Sequence, residues 1–191
     1  MNDVAQLSLP DLSPETAQGR AKEALDTAFK QVGMIPNMYA KMANAPGLLE
    51  TYLFGYNLFR KESGFTPAEQ EVVLLTISRL NECDYCMAAH SMIAEAVSKT
   101  PAQAIEAIRE DRPIDDAKLR ALATFTALMV DSRGRPTDQD VQAFLAAGYS
   151  ERHVLEVILA IAVKTLSNYA NHVFHTELDQ RFAGHAWQAE R

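Results

Sequence analysis

The chain has 191 residues, of which 48% are hydrophobic and 23% are charged, and its formal net charge is -7. These values are typical of a folded domain with a substantial core. The acidic balance, with no cluster of lysine and arginine, argues against a nucleic-acid partner. The most apolar stretch, residues 154–163, is far too short to cross a membrane, so we expect no membrane partner.

The chain starts MNDVAQLSLPDLSPE, which lacks the apolar run of a secretory signal. We therefore expect a cytoplasmic protein with one domain over residues 1–191, an N-terminal arm over about residues 1–15 and a frayed tail from Ala183. Cytoplasmic thiols are kept reduced, so a close cysteine pair there is more often catalytic or metal-binding than structural.

Helix start signals recur along the chain. Thr66, Pro67 and Glu69 match a capping box with proline at the first helical position, and similar patterns start at Thr100 and Thr137. Apolar residues then recur at intervals of three and four, whereas no segment alternates as a strand would. The prediction is an all-α fold, with helices over 16–31, 38–44, 46–62, 66–81, 83–98, 101–110, 114–131, 137–147 and 150–181.

The only two cysteines are Cys83 and Cys86, and His90 follows four residues later. We expect helix 66–81 to end near Asn81 in a left-handed conformation and helix 83–98 to begin at the cysteines. Residues at i, i+3 and i+7 share one face of a helix. The two thiols and the imidazole are therefore predicted to lie together.

Glu71 is predicted to join this group. If the two helices form an antiparallel hairpin, Glu71 and His90 lie at similar distances from the turn, at roughly 1.5 Å of rise per residue. Glu71 also shares a stripe with Leu74, so we expect burial to raise the pKa of its carboxyl and make it a base near neutrality.

A carboxylate, an imidazole and two thiols suit the reduction of a peroxide. One thiolate attacks the O–O bond, and the resulting sulfenic acid condenses with the second thiol to a disulfide. Two other interpretations of Cys83 and Cys86 stay open: a pair of buried apolar residues, or zinc ligands. Zinc sites usually have four ligands, and only His172 and His175 could complete one; we assign them no chemistry.

Glu71, followed after eleven residues by Cys83-Asp84-Tyr85-Cys86 and then by His90, resembles the signature of the AhpD-like alkylhydroperoxidases in the carboxymuconolactone decarboxylase family. GMIPNMY (33–39) and ANAPGLL (43–49) resemble the N-terminal signature of its peroxidase-related branch. The resemblance covers about residues 30–100 by motif. It implies an AhpD-like helical bundle with the Cys-x-x-Cys at the start of a central helix and a core motif over 66–98.

By that resemblance, Cys86 is the peroxidatic thiol, Cys83 is the resolving thiol, and Glu71 and His90 form a proton relay, with no cofactor and no metal. Tyr85 replaces a histidine of the best-known members; it could support a substrate oxygen but would not titrate near neutrality. A helix-dipole argument instead favours Cys83 as the more acidic thiol, because Cys83 is nearer the helix start.

The implied function is a thiol-dependent peroxidase, an antioxidant enzyme with peroxiredoxin activity towards hydrogen peroxide or organic hydroperoxides. The resemblance also implies a thioredoxin-like or lipoyl-type dithiol reductant and a homo-oligomer, from dimer to hexamer. Two alternatives remain. One is a decarboxylase like the family's namesake, whose pattern lacks the cysteine pair, and the other is a non-enzymatic redox sensor or binding protein.

Overall fold

The computed structural model describes residues 5–189. Over this range the chain forms nine α-helices and one 3-10 helix, and no β-strand. They are α1 (Gly19–Val32), α2 (Asn37–Met42), α3 (Pro46–Glu62), α4 (Pro67–Leu80), α5 (Asp84–Ala96), α6 (Ala102–Arg109), α7 (Ala117–Asp131), α8 (Asp138–Ala146), α9 (Glu151–Phe174) and a C-terminal 3-10 helix (Gln180–His185). The all-α prediction is confirmed. The first four residues of the predicted arm lie outside the described residues.

Two of the three predicted capping signals act as expected. Thr66 Oγ1 accepts from the Glu69 amide while the Glu69 carboxylate accepts from the Thr66 amide, and Thr137 caps α8 in the same way. The third prediction, a cap at Thr100, is wrong. The N-cap of α6 is Pro101, and Thr100 Oγ1 is buried without a hydrogen-bond partner among the described residues.

The end of the chain differs from the prediction. The last long helix stops at Phe174, because His175 takes a left-handed conformation with φ of 48°. The tail is not frayed over residues 183–189. The Arg109 guanidinium donates to the carbonyls of His185 and Ala186 at 3.1 and 2.9 Å, and Trp187 Nε1 donates to the Arg109 carbonyl at 3.0 Å. The C-terminal segment is therefore fastened to the body of the protein.

Helix α4 lies at the centre of the fold. Its residues are buried from Glu69 to Ser78, and it packs against α5, α6, α7 and α9. Helix α9 also packs against α3, where Gly55 permits a close approach: a Cβ there would lie 2.9 Å from Val163 Cγ2. None of the helices formed by residues 5–189 is long and apolar enough to cross a membrane.

Candidate active site

The turn between α4 and α5 places the cysteines. The left-handed residue is Glu82 (φ 52°), not Asn81 as predicted. Asn81 instead donates its side-chain amide to Asn168 Oδ1 at 2.9 Å. Cys83 follows as the N-cap of α5, and Cys86 is the third residue of that helix. Both cysteines are buried, with 1% and 2% exposure.

Glu71 and His90 meet across this hairpin, as predicted. His90 Nδ1 lies 2.9 Å from Glu71 Oε2, and both side chains are buried. The other Glu71 oxygen pairs with the Arg60 guanidinium and accepts from Ser98 Oγ at 3.3 Å. The expectation of a raised pKa for Glu71 is wrong. Burial raises it, but His90 and Arg60 outweigh burial and hold the pKa of this carboxyl below its usual range.

Arg60 is a partner that the sequence analysis missed. It donates to the Tyr56 hydroxyl at 2.7 Å and to Gln70 Oε1 at 3.1 Å, and its guanidinium lies 4.9 Å from the Tyr56 ring centroid. A guanidinium held in this way gives the buried Glu71 carboxylate a permanent countercharge. Glu71 is therefore a carboxylate that orients its neighbours rather than a base with a high pKa.

His90 is set up as a neutral imidazole. Burial and the nearby Lys164 charge lower its pKa, and the opposing effect of Glu71 does not cancel them. With Glu71 a carboxylate, Nδ1 is the nitrogen that carries the proton and donates it to Oε2. Nε2 is then left as the acceptor of the ring.

The two sulfurs converge on one side chain of α9. Asn171 Nδ2 lies 3.4 Å from Cys86 Sγ, 3.6 Å from Cys83 Sγ and 3.3 Å from Met38 Sδ. A single amide group can reach both thiols only if they face the same space. The interpretation of two thiols in one small volume therefore fits the geometry.

The pKa values of the two thiols move in opposite directions. For Cys86, burial favours the neutral thiol, but a hydrogen bond from Cys83 and the charge of Lys164 outweigh it, so the pKa is well below its usual range. The hydrogen bond to Cys86 and burial raise the pKa of Cys83 well above its usual range. The helix-dipole argument that favoured Cys83 is thus overruled by these local charges.

Tyr85 points its hydroxyl at the C-terminal segment. It donates to Asp179 Oδ2, and Asp179 also accepts from the Asn37 amide at 3.2 Å. Burial and the Asp179 carboxylate raise the pKa of Tyr85, and its ring meets Phe182 edge-on at 6.0 Å between centroids. Tyr85 therefore fastens α5 to the segment that follows α9.

Aromatic rings line the other side of the site. Tyr39 and Tyr52 meet edge-on at 5.7 Å, Tyr52 stacks on Tyr56 at 5.6 Å, and Tyr56 lies 6.3 Å from His90. Cys86 belongs to the same buried cluster as Tyr39 and Tyr52. On the side of these rings, the surroundings of Cys86 are thus largely apolar.

Neither the two cysteines nor His172 and His175 belong to a metal site in the described part of the chain. No group of three or more His, Cys, Asp or Glu residues there could hold a metal ion. The zinc interpretation therefore finds no ligand set within residues 5–189.

Besides Arg60, the sequence analysis missed Asp179, Lys164 and Asn171. A signal for the last two exists in α9, where the buried positions continue from Val157 and Ala160 to polar residues at the same spacing: Lys164, Ser167, Asn168 and Asn171. Polar residues on a buried helix face are unusual, because polar groups cost free energy to bury.

Comparison with known proteins agrees with the sequence resemblance. Residues 48–116 match the sequence model of the carboxymuconolactone decarboxylase family, a segment that contains Glu71, both cysteines and His90. No curated protein matches the chain.

Three solved structures share the fold. An AhpD core structure, an uncharacterized peroxidase-related protein from Ralstonia eutropha JMP134, has a TM-score of 0.79 and 18% identity over 95% of this chain and 96% of that chain. A peroxidase-related protein from Silicibacter sp. TM1040 has a TM-score of 0.75 and 21% identity over 96% of both chains. A debrominase in complex with 2,3,4-tribromopyrrole has a TM-score of 0.72 and 16% identity over 95% of this chain and 97% of that chain. Proteins with this fold therefore differ in activity.

Proposed function

We propose that this chain, an AhpD-like protein of the carboxymuconolactone decarboxylase family, is a thiol-dependent peroxidase that reduces hydrogen peroxide or an organic hydroperoxide. The observation that carries the proposal is the meeting of Cys83 Sγ and Cys86 Sγ at the Asn171 amide. Beside them lies the His90–Glu71 pair. A dithiol that gives up two electrons needs this closeness, because both sulfurs must join in one disulfide.

The reaction runs in two steps. The Cys86 thiolate attacks one peroxide oxygen, the O–O bond breaks, and the departing RO⁻ takes a proton that His90, oriented by Glu71, passes from solvent. The Cys86 sulfenic acid then condenses with the Cys83 thiol and releases water. One thiolate, one thiol, one peroxide and one proton give one disulfide, one alcohol (or water) and one water. The low pKa of Cys86 supports its role as the attacking thiol.

A dithiol protein of the thioredoxin-like or lipoyl type would restore the thiols by exchange at Cys83, in a reducing compartment such as the cytoplasm. Both sulfurs are buried and α5 is packed against the C-terminal 3-10 helix. Exchange with a protein thiol therefore requires that segment to move aside.

Steady-state kinetics test the proposal against the redox-sensor alternative. The protein with a dithiol donor should consume many equivalents of peroxide, and Cys86→Ser should consume none above background. Oxidation that stops after one equivalent despite excess donor would favour the sensor. If Cys86→Ser still consumes peroxide, the assignment as a thiol-dependent peroxidase is contradicted, and the decarboxylase alternative is favoured instead.

Reductive debromination is a second candidate. The observation that favours it is the row of packed tyrosine rings in the buried cluster that also contains Cys86, because such rings suit an aromatic ligand; a debrominase shares the fold. The same dithiol supplies two electrons and two protons: the carbon–bromine bond becomes a carbon–hydrogen bond and bromide, Cys83 and Cys86 join in a disulfide, and the second proton is released to solvent. Bromide release from 2,3,4-tribromopyrrole, coupled to disulfide formation, would support this candidate, and its absence would exclude that substrate.

We also propose a homo-oligomer in which a second copy covers α9. Four large side chains on one face of this helix are exposed by 38 to 66%: Leu155, Ile158, Tyr169 and Val173. A stripe of this length is typical of helix pairing. Light scattering should show that the double variant Leu155→Glu, Ile158→Glu dissociates, whereas Val97→Glu, at an exposed valine just after the end of α5, does not. A wild-type monomer would contradict this proposal.

A further inference from the structure

Lys164 is the most unusual charged residue of the molecule. Its side chain is completely buried in α9, and Nζ has no hydrogen-bond partner among the described residues. Burying an ammonium without a partner is strongly unfavourable. A buried lysine therefore implies either a neutral amine or a nearby anion that compensates the charge.

The charges around Lys164 leave one group to supply that anion. Glu71 is already paired with Arg60 and hydrogen-bonded to His90. Asp179 is engaged by Tyr85 and by the Asn37 amide. The other titratable groups near the sulfurs are the two thiols themselves, His90 and four tyrosines: Tyr39, Tyr52, Tyr56 and Tyr85. Among these only a thiol becomes an anion at moderate pH without a strong shift.

The register of α9 directs Lys164 to the thiols. Lys164 and Asn171 are two turns apart and share the buried face, and Asn171 contacts both sulfurs. The Lys164 charge also acts on Cys83, Cys86 and His90. We propose that Lys164 is the cation that holds the Cys86 thiolate in the reduced protein. This inference rests on the proposed function and assigns a catalytic residue to it.

A lysine–thiolate pair affects the redox balance as well as the rate. Disulfide formation removes the anion but leaves the lysine in the same buried place. The pair therefore stabilises the reduced form relative to the disulfide, as expected for a site whose disulfide a dithiol donor must reduce readily. His90 cannot replace Lys164 in this role, because burial and the Lys164 charge lower its pKa and leave the imidazole neutral.

The test is a pH titration of the reduced protein in a Cys83→Ser background, in which Cys86 is the only thiol. Thiolate is followed by its ultraviolet absorbance and by the iodoacetamide rate, normalised to the limiting rate at high pH. With Lys164 present, Cys86 should remain ionised at pH values well below the usual pKa of a cysteine thiol. In Lys164→Met the normalised rate at mildly acidic pH should fall by at least about 10-fold, which corresponds to one unit of pKa. Lys164→Arg should keep most of the wild-type rate, and Lys30→Met, at an exposed lysine, should keep all of it.

Unchanged titration in Lys164→Met and in the second neutral variant, Lys164→Gln, would overturn the inference. Circular dichroism identifies a variant that has not folded, in which case the other one decides. The test needs no peroxide. If Cys86 titrates as expected but the protein consumes no peroxide, only the peroxidase proposal is contradicted. If the protein turns over peroxide but the Cys86 titration does not depend on Lys164, only this inference is contradicted.

Discussion

His90 Nδ1 lies 2.9 Å from Glu71 Oε2, across the hairpin of α4 and α5. Because Arg60 holds the other Glu71 oxygen, the carboxylate stays charged and fixes both the orientation and the tautomer of the imidazole. Nε2 is thereby kept available as an acceptor. The buried Glu71–Arg60 ion pair, which stabilises the fold, therefore also orients His90, the proposed proton carrier.

Replacing Glu71 by Gln should destabilise the protein. Arg60 would keep its charge but lose its anion in a buried place, and breaking a buried pair from one side costs about 3 kcal/mol. Urea unfolding at neutral pH measures the free energy of unfolding. Glu50→Gln, which removes an exposed pair with Arg20, should cause no measurable loss. Equal stability of Glu71→Gln and wild type would contradict the described ion pair.

Stability should fall on acidification. The pKa of His90 is below its ordinary value of 6.5 and that of Glu71 is below 4.5 in the folded protein, so the unfolded state binds more protons as the pH drops. The stability present above pH 6.5 is therefore lost progressively below it through His90, and further below pH 4.5 through Glu71.

Urea midpoints measured between neutral and mildly acidic pH check the His90 contribution. His90→Gln should show a weaker loss than wild type over this range, whereas His175→Asn, at an exposed histidine, should follow the wild-type curve. A wild-type midpoint that rises on acidification would reverse the predicted sign.

The sequence predicts the fold well because local signals dominate helical proteins. The capping boxes at Thr66 and Thr137 and the spacing of apolar residues place eight of the nine helices within three residues of their bounds, and the ninth ends seven residues earlier than predicted. The errors in the prediction arise from contacts between residues that are far apart in the chain. The tail was predicted to fray because nothing in its local sequence shows that Arg109, 76 residues earlier in the chain, donates hydrogen bonds to it.

The site was predictable only where its residues are close in sequence. Cys83, Cys86, His90 and Glu71 lie within one hairpin, so helix periodicity brings them together. Lys164 and Asn171 come from α9, more than 70 residues away, and only packing of α9 reveals them. The prediction of a raised pKa for Glu71 was wrong for the same reason. Arg60 lies on α3, and no local sequence pattern shows that it approaches Glu71.

Removing the Tyr85 hydroxyl should loosen the C-terminal segment. Tyr85→Phe loses the hydrogen bond to Asp179, and a hydrogen bond to a charged group is worth about 1.5 kcal/mol or more. Local opening, and with it iodoacetamide modification of the reduced cysteines, should accelerate about 10-fold. Tyr169→Phe, at an exposed tyrosine, should react at the wild-type rate. Equal rates for all three proteins would mean that Tyr85 does not restrain this segment.

Gly55 should be intolerant of a side chain. In Gly55→Ala the new Cβ would lie 2.9 Å from Val163 Cγ2, so α3 and α9 must separate, at a cost of about 1–3 kcal/mol. That cost exceeds the gain of roughly 0.8–1 kcal/mol in helix propensity. In Gly47→Ala, on the same helix, the nearest atom is 3.9 Å away, so urea unfolding should show no loss. A Gly55→Ala protein at least as stable as wild type would contradict the α3–α9 packing.

The most direct test of the central claim is the intact mass of the reduced protein after one equivalent of hydrogen peroxide. Transfer of two electrons from Cys83 and Cys86 predicts a loss of about 2 Da and no free thiol, while Cys83→Ser should stop at a sulfenic acid that is heavier by about 16 Da. A wild-type protein of unchanged mass that still titrates two free thiols would contradict the account.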